Sequence, residues 1–365
     1  MSDREKILNK KIISLPQFIV LLMVNRLVIS MTFGPSSING NDIWDCIISS
    51  TVVFLLTFFM VIPVVTLCKN SDGADILDIN EYTLGKFGKI ISIIYSFYFI
   101  LVCTYTLFTF KIFIENVINP PISFPVLSTT MIIFACYASS KGIESIVRCS
   151  SIILFLIVFL LALIGFSLFK VTDFTNFKPF FYSGYESLTD GIIFMISRMS
   201  CIPAMGLLIP MTNGNIKKGI IFWNILVFSL MSVSIFLVVG VLGDLSSVKL
   251  FPIYTATSVS KISKFENLDS LYLGLWTSGI FLKLSMFLNL SSECLRKSFG
   301  NKSNKIIIFL LGIILFLTNT FSKISNSFKG IFNVKFIFFF TILTAFVIPF
   351  ILLLLKKRSK KIVRI

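Results

Sequence analysis

Apolar residues gather along this chain in ten long blocks, at about 14–33, 43–68, 90–114, 123–139, 145–169, 188–211, 219–243, 268–290, 305–321 and 334–355, with polar stretches between them. A helix needs about 20 such residues to cross the hydrocarbon layer of a bilayer. The pattern therefore predicts an all-α membrane protein with ten transmembrane helices, of which the fourth and ninth are short. The first block follows a basic head, Arg4, Lys6, Lys10 and Lys11, but it is too long for a signal peptide and lacks a small-residue cleavage site. Two of the polar stretches have a pattern of their own. From Asp75 to Lys89, carboxylates alternate with Ile76, Leu77, Ile79, Tyr82, Leu84 and Phe87 at roughly helical spacing, which predicts a short helix on the inner surface. A second surface helix is expected on the outer side, within Phe251 to Phe265.

The sixth block contradicts itself at its centre. It reads LTDGIIFMISRMSCIPAMGLLIPM from Leu188 to Met211, and Ser197, Arg198, Ser200, Cys201 and Pro203 fall where a helix is deepest in lipid. Pro203 cannot donate the bond that a continuous helix needs there. Irregular backbone at that depth is tolerated only where protein buries it or a cavity hydrates it, so a broken span marks an internal binding site. Within one membrane domain of residues 1–365, the ten spans divide into two sets of five, about 14–169 and 188–355, with opposite orientation. Inverted five-helix repeats with broken first and sixth helices describe the LeuT-type architecture. In the first span, Asn25 to Pro35 carries an arginine and two hydroxyl residues before Gly34-Pro35, so an interruption is expected there too. The N-terminus of a half-helix suits a small carboxylate, and freed carbonyls suit a cation.

Composition narrows the chemistry. Hydrophobic types make up 56% of the 365 residues, charged types only 14%, and histidine is absent, which excludes histidine metal sites and Ser-His-Asp catalysis. The seven cysteines are scattered singly, without CxxC or metal-ligand spacing. There is no P-loop, HExxH or GxSxG. No enzyme activity, metal or cofactor is expected. The net charge of +16 is not a nucleic-acid signal, because its residues flank apolar blocks. With the N-terminus inside, inner segments hold 21 Lys and Arg and outer ones 8, which predicts both termini cytoplasmic.

Four cations, Arg26, Lys111, Arg198 and Lys283, remain inside spans, while none of the 17 carboxylates lies near the middle of one. Lys111 pairs by spacing with Glu115, and Lys283, in the inner half of its span, is expected to reach toward the inner surface. Arg26 and Arg198 sit in the two spans expected to break. Each costs about 2.5–3.5 kcal/mol to insert, so each either meets a ligand carboxylate or caps carbonyls that the break frees. The candidate ligand-binding residues are Arg26, Val28, Ile29 and Ser30 on the first span and Ser197, Arg198, Ser200 and Cys201 on the sixth. Tyr98 and Val102 on the third and Trp276 and Thr277 on the eighth lie at similar depth.

Between the fourth and fifth spans, Lys141-Gly142-Ile143-Glu144-Ser145-Ile146-Val147-Arg148 resembles the KGxExxxR signature of the GerAB family of spore germination proteins. Ile13-Ser14 with Gln17, Asp42 with Trp44, and Leu84-Gly85-Lys86-Phe87-Gly88-Lys89 resemble further family segments. Pro179, Gly240-Val241-Leu242-Gly243, Phe251-Pro252 and Trp276 follow in the family's order. The resemblance implies a member of the amino acid–polyamine–organocation transporter superfamily that acts as the B subunit of a germinant receptor in the spore inner membrane. It also implies an amino acid or similar nutrient bound where the first, third, sixth and eighth spans meet, with A and C subunits as partners in the lipid bilayer. A cation-coupled amino acid permease of the same superfamily is the second reading, and a structural subunit without a ligand is the third. Many family members have a glycine-rich break in the first span, whereas this chain has Arg26-Leu27-Val28-Ile29-Ser30. Bulky residues there predict a reshaped pocket or a subunit that acts through its partners.

Overall fold

The computed structural model describes residues 13–30, 32, 43–69, 73–118, 124–177, 184–259, 268–300, 303–321 and 333–362. Every apolar block coincides with a helix. They are α1 (Leu15–Ser30), α2 (Ile43–Lys69), α4 (Lys86–Phe113), α5 (Phe124–Ser140) and α6 (Ile143–Phe169), with α3 (Ile76–Leu84) between the second and third blocks. The sixth block forms α7 (Gly184–Ser197) and α8 (Cys201–Leu208), followed by α9 (Ile216–Leu242) and the short α10 (Pro252–Val259). The chain then forms α11 (Leu268–Phe299), α12 (Asn304–Phe321), and α13 (Val334–Ile342), which a π turn at Leu343–Val347 joins to α14 (Ile348–Ile362). Among the described residues seven helices are long and apolar enough to cross a membrane, and Leu15–Val28, Pro125–Ser140 and Asn304–Thr320 are shorter apolar helices. The protein is an all-α membrane protein.

α11 lies at the centre, against α4, α5, α6, α1 and α12, while α2 lies against α7 and α9. Large apolar side chains such as Phe59, Phe155, Phe166 and Phe309 stand exposed on outward faces, which is what a lipid-facing surface requires. The start of α1 is tied to the end of the sixth block by a two-residue parallel ladder, Ile13 beside Thr212 and Ser14 beside Asn213. Ser14 and Gln17 cap α1 reciprocally: the Ser14 N–H donates to Gln17 Oε1 at 3.0 Å, and the Gln17 N–H donates to Ser14 Oγ at 3.5 Å. Glu144 and Arg148 form the expected i,i+4 pair at 2.6 Å, but it is solvent-exposed and contributes under about 1 kcal/mol. The motif residues Asp42 and Pro179 lie outside the described residues, as do 260–265 of the second expected surface helix.

α3 sits deeper than a surface anchor. Asp75 caps it, accepting from Leu77 N–H at 3.0 Å and Asp78 N–H at 2.9 Å, while the Asp75 N–H donates to Asp78 Oδ2 at 3.3 Å. Ile76, Leu77, Ile79 and Asn80 are buried, and the helix rests on α4, α14, α2 and α8. Tyr82 and, just beyond the helix, Phe87 stay exposed. From the centre of the bundle Lys297 of α11 reaches its cap, Nζ lying 2.5 Å from both Asp75 Oδ2 and Asp78 Oδ1. α3 is thus latched to the core helix by charge as well as by its apolar face.

Candidate functional site

The sixth block breaks where Pro203 requires it. α7 stops at Ser197, α8 starts at Cys201, and Arg198, Met199 and Ser200 form the turn between them. Pro203 offers no N–H and its ring crowds the carbonyl four residues earlier, so the chain tightens into i→i−3 bonds. Arg198 N–H donates to Met195 O at 3.3 Å, Met199 N–H to Ile196 O at 2.9 Å, and Ile202 N–H to Met199 O at 3.0 Å. Carbonyls at the turn are met by other helices. Thr341 Oγ1 of α13 donates to Ser197 O at 3.3 Å, and Arg26 Nη1 of α1 approaches Arg198 O at 3.4 Å. Of the two roles expected for Arg26, this arrangement displays the capping one.

Arg198 is buried and folds back along its own helix. Its Nη1 donates to Phe194 O at 3.1 Å, its Nη2 donates to Tyr105 Oη at 2.6 Å, and the guanidinium carbon lies 3.3 Å from the centre of the Phe194 ring. Tyr98, one of the expected residues, joins the break through Thr341, its hydroxyl 3.0 Å from Thr341 Oγ1. Cys201 Sγ donates to Leu22 O of α1 at 3.5 Å. The Ser200 hydroxyl is buried and has no hydrogen-bond partner among the described residues. Val102 is buried on α4 between the levels of Tyr98 and Tyr105. Trp276 of α11 donates from Nε1 to Thr32 Oγ1 at 2.8 Å and lies against Phe110 and Phe113, beyond the end of α1. Thr277 is half-buried one position further on, about 100° around the helix from Trp276.

α1 is continuous from Leu15 to Ser30, so the interruption expected in the first span does not fall at Arg26 or Val28. No glycine or proline comes between Pro16 and Gly34, and the branched residues keep their helical bonds inside a packed bundle. The side chains of Ile29 and Ser30, and Gly34-Pro35, lie outside the described residues. Val28 is fully buried and faces Gly279 of α11, where a Cβ would overlap Val28 Cγ2. The bulk on α1 is therefore received by a glycine on α11. Val28 thus fills a contact between α1 and α11.

Lys283 also departs from expectation. It is fully buried, donates from Nζ to Asn25 O of α1 at 3.3 Å, and lies 5.5 Å from the centre of the Phe287 ring. The apolar block ends near residue 290, but the helix continues to Phe299, which puts Lys283 midway along its 32 residues. At a rise of about 1.5 Å per residue, both ends lie more than about 20 Å away, beyond reach of a lysine side chain. Tyr105 and Thr341 are the residues at the break that sequence reasoning missed. Tyr105 was legible as the next member of the stripe Tyr98, Val102, Tyr105, at i, i+4 and i+7.

A cavity of about 20 Å³ opens beside the break, lined by Arg26, Ser50, Met195, Met199 and Asn224 among others. It holds about one water.

Residues 12–328 match the sequence profile of a family described as spore germination protein. The chain belongs to this family. Spore germination protein KB of Bacillus subtilis (strain 168) is similar at 22% identity over 323 residues, 86% of each chain. The resemblance carried by KGxExxxR and the other segments thus extends over most of the protein. The interrupted helix and its buried cations lie inside the matched region of this germination protein.

The pairing of Val28 with Gly279 gives a direct test of the packing. Gly279→Ala is expected to destabilise the purified protein by about 1–3 kcal/mol, the usual range for overpacking. Adding Val28→Ala should restore most of the loss, because it removes the methyl groups in the way. Thermal unfolding in detergent of the two single variants and the double variant measures the coupling. Additive losses would mean that the two residues do not compete for one space.

Proposed function

We propose that this protein is the B subunit of a germinant receptor, which binds an amino acid or similar small nutrient at the α7–α8 break and signals germination with A and C partner subunits in the spore inner membrane. Membership of the family supports the germination role. The observation that carries the ligand reading is Arg198, buried at an interrupted helix and held by a phenol and by its own helix carbonyl. A carboxylate is a stronger partner for a guanidinium than either neutral group, and it binds in bidentate fashion. On this reading the incoming ligand draws Arg198 away from Phe194 O, the turn at Arg198–Ser200 rearranges, and α8 moves.

Its route to the surface is short. α8 meets α3 at Gly206, where a Cβ would stand 3.1 Å from Ile76 Cγ2, and Cys68 of α2 bonds the Gly206 carbonyl at 3.6 Å. A shift of α8 therefore presses on Ile76, next to the Asp75 cap that Lys297 holds. By the charge reading this is the cytoplasmic end, where soluble parts of partner subunits have access.

The test is germination of spores carrying Arg198→Ala, scanned against single amino acids and simple nutrients, with receptor-subunit levels checked by immunoblot. At normal levels the response should fall at least about tenfold, the scale of one lost charge-assisted bond, and Arg198→Lys should retain part of it. An unchanged response at normal levels would leave Arg198 as a brace for the break and remove the ligand site. Accumulation of a labelled nutrient by vesicles holding this chain alone would replace the receptor reading with the permease.

A further inference from the structure

Between α6 and α9, both long and apolar enough to cross a membrane, lies a groove of about 410 Å³. That volume is in the range of small-molecule sites. Val158, Ala162, Phe166 and Phe169 of α6 line one side, Leu230, Val233 and Leu237 of α9 the other, and α10 adds Ile253 and Ala256. The two long helices meet at the base of the groove, where a Cβ on Gly165 would stand 3.5 Å from Leu237 Cδ1. The third wall is held from behind. Phe251, just before α10, and Tyr254 within it have ring centres 4.8 Å and 5.5 Å from that of Phe113 on α4.

The lining, the opening and the length of the groove together define its occupant. Ser234 is the one polar side chain among the residues that line it, and its hydroxyl donates to Leu230 O of its own helix at 2.8 Å. A polar ligand would leave its own groups unpaired there, which is costly, whereas a hydrocarbon chain would not. Phe166 and Phe169 are 78% and 64% exposed, so the groove opens onto the lipid-facing surface. From Val158 to Phe169 its α6 wall runs for about 16 Å at 1.5 Å per residue. This is close to half of the hydrocarbon layer, which is about 30 Å thick. The groove is thus about as long as one leaflet is deep, and it ends where α6 ends. Lys170 follows directly and is exposed, at the level of the headgroups. In the same turn, Asp173 accepts from the Thr175 N–H at 2.9 Å and from its hydroxyl at 2.8 Å. Beyond α9, Asp244 and Lys249 offset each other in charge. Lys170 therefore supplies a cation for a phosphate at the mouth. By the charge reading this is the outer leaflet.

We infer that the groove between α6, α9 and α10 binds one glycerophospholipid of the outer leaflet, with an acyl chain against Ala162, Gly165 and Ser234 and its phosphate at Lys170. A helix of another protein, about 10 Å across, would bridge the groove and leave its base empty, whereas a flexible chain fills it. The site is separate from the α7–α8 break and does not depend on what binds there.

The experiment reconstitutes the full-length chain into vesicles of phosphatidylethanolamine and phosphatidylglycerol that contain a trace of phosphatidylglycerol with a diazirine midway along one acyl chain. After illumination, mass spectrometry of peptides locates the adducts. They should concentrate on residues 158–169 and 230–238, about tenfold over the exposed apolar faces at Phe59 and Phe309. Ala162→Phe, which fills the groove from an exposed position, should cut these adducts by about tenfold with little change in the unfolding midpoint. Ser234→Leu fills it from α9 and covers the case in which the first variant does not fold. Lys170→Glu should lower capture too, because it repels the phosphate. Adducts that are absent from both walls, spread evenly over the outward faces, or undiminished in the filled variants overturn the inference. Unchanged capture by Lys170→Glu removes the headgroup contact and with it the assignment to a phospholipid. Adducts that form on the isolated chain but vanish in membranes holding the whole receptor would give the groove to a partner helix, and overturn the inference as well.

Discussion

Lys297→Met is expected to cost the protein about 3–5 kcal/mol at neutral pH, the range for removing one partner of a buried ion pair. The Asp75 side chain is only 2% exposed and that of Lys297 19%, so the variant leaves a carboxylate buried beneath the bundle. Burial already pushes the Asp75 carboxyl above the ordinary carboxylate range, against the pull of Lys297 and with Asp78 adding to the rise. Without Lys297 it rises further. A carboxyl whose folded-state pKa is raised loses stability as pH climbs through that value, because the folded protein holds the proton more tightly than the unfolded chain does. The variant should therefore be close to wild type in mild acid and fall away toward neutrality, and Asp75→Asn in the same chain should flatten the dependence. Thermal unfolding in detergent across pH measures this, and a midpoint unchanged at neutral pH would mean that the pair does not hold α3. On the proposed signalling route, spores carrying Lys297→Met should also germinate in buffer without nutrient, since the latch beneath α8 is already released.

Much of this could be read in the sequence because the membrane makes hydrophobicity a reliable guide to helices. Each apolar block is a helix, and the break at Arg198–Ser200 falls where Pro203 and the polar residues around it place it. What escaped was partnership between helices. A span that is apolar all round does not disclose which face it turns inward, so Thr341 on the last membrane helix gave no sign that it would bond the Ser197 carbonyl. The depth of Lys283 is hidden for a different reason: the apolar block ends near residue 290, whereas α11 runs nine residues further. In the first span, the contact of Val28 with Gly279 is a pairing that only the packing of α1 on α11 makes visible. Charge marked Arg26 in the sequence, but only the structure shows that it approaches the Arg198 carbonyl of another helix.

The segment Leu84-Gly85-Lys86-Phe87-Gly88-Lys89 was legible as a motif but not as a mechanism, and its geometry supplies one. Gly88→Ala is expected to cost about 3 kcal/mol or more, at or above the upper end of the overpacking range. A Cβ at Gly88 would stand 2.5 Å from Asn80 O, 2.6 Å from Asn80 C and 2.7 Å from Glu81 Cα. These are main-chain atoms of α3, fixed by the helix, so no rotamer change makes room and α3 must lift away from α4. Gly85 presents the opposite case: it turns the chain between the two helices at φ +56°, and a Cβ there meets nothing within 4 Å. Gly85→Ala should cost only the strain of that backbone conformation, φ +56° and ψ −127°, about 1–3 kcal/mol. The two variants should separate in function as well. Gly88→Ala strips the buried side chains of α3 from their seats and should abolish the assembled protein or its nutrient response, while Gly85→Ala should keep both in reduced measure. Equal unfolding midpoints for the two would show that contact between α3 and α4 is looser than the geometry implies, and would remove α3 as the rigid element through which α8 acts.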